Sequence, residues 1–127
     1  MTNETAAAFG PILLVDDDET LVSATARRIR LALPEVTVEA FADGTTALRA
    51  TAGRPLGLAL LDVDMPIIDG FELCAALHRR QPELPVAFLT GSSPKHTSEV
   101  GAIAWLQKPV TTEQLLLTIR AYALRSS

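Results

Sequence analysis

The chain has 127 residues, a single cysteine and a formal net charge of −4. That length suits one domain able to bury a core without disulfides or a structural metal. The mildly acidic balance argues against nucleic acid as the main partner, and Cys74 alone provides neither a disulfide framework nor a thiolate metal cluster.

Residues 1–10 read as a loose tail without the basic start and apolar stretch of a secretory signal, and residues 11–125 as the domain. Ile12-Leu13-Leu14-Val15 is a short apolar run followed directly by Asp16-Asp17-Asp18. Glu19 to Leu33 has helical spacing, with Leu21, Val22, Ile29 and Leu33 on its apolar face, Asp18 as cap and Pro34 as stop. Val36 to Phe41 alternates as a strand, with Val36, Val38 and Ala40 on one side. Thr45 to Thr51 is a short helix opened by Asp43-Gly44 and closed by Gly53. Leu56 to Leu61 is continuously apolar, which suits a strand covered on both faces of a parallel sheet. The longest such runs are far too short to span a bilayer.

Asp69-Gly70-Phe71-Glu72 has capping-box spacing and opens a helix to Arg80, ahead of Pro82. Val86 to Leu89 is the next strand, Ser93 to Val100 a poor fourth helix, and Ala102 to Leu106 a final strand. Thr111-Thr112-Glu113-Gln114 offers a second capping box for a closing helix reaching about Leu124. Strict β/α alternation predicts an open, doubly wound, five-stranded parallel sheet with right-handed crossovers.

In such a sheet the ligand site lies beyond the carboxyl ends of the strands. There the first strand delivers Asp16 and Asp17, the third Asp62 and then Asp64, the fourth Thr90, and the fifth Lys108-Pro109. Each has an ordinary alternative: a solvated acidic loop, a strand-end hydroxyl, a surface lysine. Asp62 is the exception, because a carboxylate ending an apolar run is costly unless paired or bound to a cation. Clustered carboxylates without His or Cys suit a hard cation, with Mg²⁺ the commonest candidate. Such an ion would let Asp62 act as a nucleophile toward a phosphoryl group, with Lys108 and Thr90 holding the phosphoryl oxygens.

These residues resemble the receiver domains of two-component signalling from about Pro11 to Leu124. Ile12-Leu13-Leu14-Val15-Asp16-Asp17-Asp18 resembles the family's opening strand and acidic pair. Leu60-Leu61-Asp62-Val63-Asp64-Met65-Pro66 with Asp69-Gly70 resembles its phosphoacceptor segment. Phe88-Leu89-Thr90-Gly91 and Trp105-Leu106-Gln107-Lys108-Pro109 resemble its switch and closing lysine motifs. The resemblance implies a flavodoxin-like, CheY-like fold and a phosphoacceptor function rather than an enzyme acting on other substrates. It implies Asp62 as phosphoacceptor, and Mg²⁺ held by Asp16, Asp17, Asp62 and the backbone carbonyl of Asp64. Thr90 and Trp105 would be switch residues, Lys108 the phosphoryl partner, and Lys108-Pro109 a cis peptide. The implied setting is the cytoplasm, with a histidine kinase or histidine phosphotransfer protein as donor, an unspecified protein or output domain downstream, and neither nucleic acid nor membrane bound by the domain.

Three features depart from the family pattern. Asp64 borders the path of the attacking group, Trp105 is bulkier than the usual switch aromatic, and the segment between Thr90 and Lys108 is about one helical turn short. A shortened fourth helix leaves open a receiver-shaped interaction module that is never phosphorylated. Asp62-Val63-Asp64-Met65 also resembles the nucleophile motif of haloacid dehalogenase phosphatases, but there that motif precedes the acidic pair. His78, beside Arg79 and Arg80, reads as solvated, and His96 has no assigned role.

Overall fold

The computed structural model describes residues 10–91 and 102–123. The helix expected over Ser93–Val100, and His96 within it, lie outside those residues. Five strands form one parallel sheet: β1 (Ile12–Val15), β2 (Val38–Phe41), β3 (Leu58–Asp62), β4 (Val86–Thr90) and β5 (Ala104–Gln107), ordered β2-β1-β3-β4-β5. The described helices are α1 (Glu19–Ala32), α2 (Gly44–Ala50), α3 (Gly70–Arg80) and the closing helix α4 (Thr112–Tyr122).

Side chains alternate along each strand and so feed two cores. Ile12, Leu14, Leu58, Leu60, Ala87 and Leu89 face one side, where Val22, Ala26 and Ile29 of α1 and Leu115 and Ile119 of α4 cover them. Leu13, Val15, Ala59, Leu61, Val86 and Phe88 face the other, against Ala47 of α2 and Leu73, Cys74 and Leu77 of α3. Double coverage is why β1 and β3 read as unbroken apolar runs. Burying one such leucine contributes roughly 1.5–3 kcal/mol.

Helix starts are fixed locally. Asp18, Asp43, Asp69 and Thr111 each accept the backbone N–H three residues on, and Asp69–Glu72 and Thr111–Gln114 form reciprocal capping boxes. The differences from the sequence reading fall where burial is one-sided. Leu21 of α1 is partly exposed, so the buried stripe is Val22, Ala26 and Ile29, continued by Leu33. Val36 packs in the core but precedes β2, and β5 begins at Ala104 instead of Ala102, as an edge strand with half-exposed side chains. Gly10, placed with the tail by sequence, is buried and donates its N–H to the Ala123 carbonyl at 3.3 Å. His78 is half-buried rather than solvated: Nε2 lies 2.9 Å from the Leu84 carbonyl oxygen, and Nδ1 lies 3.6 Å from Cys74 Sγ. Among the described residues no helix is long and apolar enough to cross a membrane.

The turn after β3 is tight because α3 starts against the strand it follows. Gly70 donates to the Val63 carbonyl at 3.0 Å, and a Cβ at Gly70 would stand 2.3 Å from the Asp62 carbonyl oxygen. Gly70→Ala should therefore force β3 and α3 apart and lower unfolding stability by about 1–3 kcal/mol in urea titration. An unchanged midpoint would show that this contact does not set the turn.

Candidate functional site: a carboxylate cluster bridged by a lysine

The site is assembled from the carboxyl ends of four strands. Asp16 follows β1, is 2 % exposed, and accepts a hydrogen bond from Asp18 N–H at Oδ1, 3.0 Å. Asp62 closes β3 and is 3 % exposed. Asp17 stands at the surface beside them, and the three residues offer carboxylate oxygens that all lie within 4.8 Å of one another. Lys108, just beyond β5, reaches back so that Nζ lies 2.9 Å from Asp16 Oδ2 and 3.2 Å from Asp62 Oδ1.

Lys108 is aimed by its backbone. Its N–H donates to the Thr90 carbonyl at 2.7 Å, and the Lys108–Pro109 peptide bond is cis. Thr90 ends β4, is buried, and neighbours the strand that carries Asp62, whose register partner is Leu89. Asp64 is exposed and lies in the loop beyond Asp62. Trp105 on β5 turns its ring to Phe88 and Phe71, with centroids at 5.0 and 5.9 Å, and its buried Nε1 has no hydrogen-bond partner among the described residues.

The electrostatics follow from burial. Loss of water, then the Asp16 charge, push the Asp62 carboxyl up to about 6, with Lys108 opposing both. Burial draws the Lys108 ammonium down, but its bonds and charge pairing with Asp16 and Asp62 outweigh this, and the net shift is upward. Three carboxylates against one ammonium leave two negative charges uncompensated when all are ionised. An all-oxygen donor set carrying that excess fits a hard divalent cation, not a soft one.

The sequence reading missed Arg28. From α1 its Nη1 donates to the Val110 carbonyl at 3.1 Å and to Thr112 Oγ1 at 3.2 Å, fastening the loop that carries Lys108-Pro109. No local signal marks it, because its partners lie 82 and 84 residues away. It also missed the aromatic group Phe71–Phe88–Trp105, whose members come from α3, β4 and β5.

Residues 12–120 match the family profile described as response regulator receiver domain. The chain belongs to that family. Among its relatives is the transcriptional regulatory protein TcrA of Mycobacterium tuberculosis, 37 % identical over 120 residues, covering 90 % of this chain and 46 % of TcrA. The response regulator MprA of a Mycobacterium species is 35 % identical over 120 residues, covering 91 % of this chain and 51 % of MprA. Of solved structures, the chemotaxis protein CheY4 of Vibrio cholerae superposes with a TM-score of 0.80 at 29 % identity, covering 90 % of this chain and 98 % of CheY4. The receiver-domain chain thus has the CheY-like fold, and it spans about half the length of the curated relatives it matches.

The sign of the pH dependence follows from Asp62. The folded carboxyl keeps its proton to about 6 whereas its ordinary value is 3.8, so the folded state binds more protons across that window. The Asp62 contribution to the stability of the metal-free protein should therefore fall as pH rises from about 4 to about 6. Thermal unfolding with a chelator should show this component in the wild type and not in Asp62→Asn; equal slopes would contradict it.

Proposed function

We propose that this receiver domain takes a phosphoryl group onto Asp62 from a phosphohistidine of a kinase or phosphotransfer protein, with Mg²⁺ at the acidic cluster. The observation that carries the reading is the buried Asp62 carboxylate, which shares the Lys108 ammonium with a second buried carboxylate, Asp16, at the carboxyl edge of the sheet. An isolated pair would need no such excess of negative charge, and excess negative charge in a buried site calls for a cation.

In this reading Asp16, Asp17, Asp62 and the Asp64 backbone carbonyl would hold Mg²⁺, with Asp17 the more direct ligand. When bound, the ion would supply charge neutralisation for the transfer. Asp62 attacks phosphorus in line; the P–N bond to the donor histidine breaks as the O–P bond forms. Lys108, already on Asp62, takes a phosphoryl oxygen, and the Thr90 hydroxyl takes another. Transfer leaves an acyl phosphate whose phosphoryl oxygens carry one negative charge more than the free carboxylate did, and they draw Lys108 and Thr90 toward them. Trp105, two strand positions ahead of Gln107 where β5 pairs with Thr90, is positioned to feel that movement through Phe88.

The domain acts in the cytoplasm on an unidentified protein or output domain, and its half-length relation to its transcriptional relatives leaves room for either.

Intact mass after incubation with acetyl phosphate tests the chemistry. A Mg²⁺-dependent, base-labile gain of one phosphoryl group is expected in the wild type and none in Asp62→Asn. Lys108→Ala should lower labelling while retaining Mg²⁺ binding, read by titration calorimetry. No gain in the wild type under any condition would support the unphosphorylated interaction module instead.

A further inference from the structure

At the opposite edge of the sheet from Asp62, the segments leading into β3 and β4 border a cavity of about 500 Å³. Small-molecule sites span roughly 300–1,000 Å³. Leu56, Leu77 and Leu84 form its floor and are 2–3 % exposed, so the body of an occupant meets apolar surface. The walls are fixed by hydrogen bonds. Gln81 accepts from Leu56 N–H at 2.9 Å and donates to the Leu56 carbonyl at 2.8 Å, which ties the end of α3 to the segment before β3. Arg54 donates from Nη1 to Glu39 Oε2 at 2.9 Å and from Nη2 to the Ala50 carbonyl at 3.0 Å. The Thr51 hydroxyl donates to the Ala47 carbonyl at 2.8 Å.

Arg80 is differently placed. It ends α3 and donates from Nη1 to the Leu48 carbonyl of α2 at 2.7 Å, so its guanidinium bridges the two helices beside the cavity. Among the described residues it makes no ion pair, whereas the charge of Arg54 is matched by Glu39. Glu83, the acid nearest to it in the chain, is exposed and does not pair with it. The remaining N–H groups of Arg80 are therefore donors on a positive group, while Thr51, Arg54 and Gln81 are already engaged. A guanidinium fork of this kind matches the paired oxygens of a carboxylate or a phosphate. Charged donors beside an apolar floor select an anion with an apolar body. A neutral apolar molecule leaves the guanidinium unanswered, and an inorganic anion leaves the leucines wet.

We propose that this cavity binds a small organic anion, with its carboxylate or phosphate on Arg80 and its apolar body against Leu56, Leu77 and Leu84. The cavity shares no residue with the carboxylate cluster, so the assignment stands apart from the phosphoacceptor reading.

The probes are naphthoate and naphthyl phosphate, with naphthol lacking the anion and inorganic phosphate lacking the apolar body. Each is titrated without Mg²⁺ into isotope-labelled protein and read from backbone amide shifts. The charged probes should give saturable shifts at Leu56, Leu77 and Leu84. Affinity should fall about tenfold in Arg80→Gln and less in Arg80→Lys, and naphthol and inorganic phosphate should bind at least tenfold more weakly than the charged probes. Binding of only one charged probe supports the site and fixes which headgroup it takes. The comparison of naphthoate with naphthol needs no variant and stands even where a substitution unfolds the chain. No saturable shift at these leucines with either charged probe would overturn the proposal. So would equal affinity for naphthol, for inorganic phosphate or in Arg80→Gln.

Discussion

Two buried carboxylates facing each other are the constraint on which this structure turns. Asp16 and Asp62 stand at the ends of adjacent parallel strands, and a pair of like charges in a buried site is unfavourable without compensation. Lys108 is the compensation, within hydrogen-bond reach of both. The strand order explains how one residue can serve two strands. β3 lies between β1 and β4, so Asp16, Asp62 and Thr90 end on consecutive strands. β5 lies beyond β4, and the bond from Lys108 N–H to the Thr90 carbonyl turns the lysine back across β4 toward β3. Arg28 fastens the following loop from the far side, so α1 and α4 contribute to the site through the backbone that bears Lys108.

The sheet separates this polar edge from two dry cores, and the separation gives the edge its electrostatic character. The apolar residues directly beneath Asp62, Leu60 and Leu61, are fully buried on opposite faces. Water therefore reaches the carboxyl only from the strand ends, and its proton affinity rises. The face toward α2 and α3 also holds the Phe71–Phe88–Trp105 group, where Trp105 leaves a buried indole N–H without a partner among the described residues. The aromatic group is a packed contact lying one strand from Asp62.

Much of this was legible because its causes are local. Strands β1 and β3 announce themselves as apolar runs, and Asp18, Asp43, Asp69 and Thr111 cap the helices they precede. The acids, Thr90 and Lys108 at successive strand ends follow from alternation and the parallel-sheet rule, so four elements point to one edge. What stayed hidden depends on distant partners or on broken preferences. His78 looks solvated among arginines until the chain brings the Leu84 carbonyl to it. Arg28 gives no hint of Val110. The edge strand β5 starts two residues late because Ile103 is held by a single bond to Val86 before the ladder begins, and one-sided burial leaves no alternation to read. Ile67 adopts a turn that its side chain disfavours, so propensity points away from the observed conformation.

Excess negative charge at Asp16, Asp17 and Asp62, balanced only in part by Lys108, is the central claim. Calorimetric titration of Mg²⁺ into the folded protein near neutral pH tests it most directly, with Asp17→Asn as the companion variant. One saturable site in the wild type, much weakened in Asp17→Asn although that residue is exposed and its loss leaves the cores intact, is the result this account predicts. No binding in the wild type, or equal binding in the variant, would contradict it.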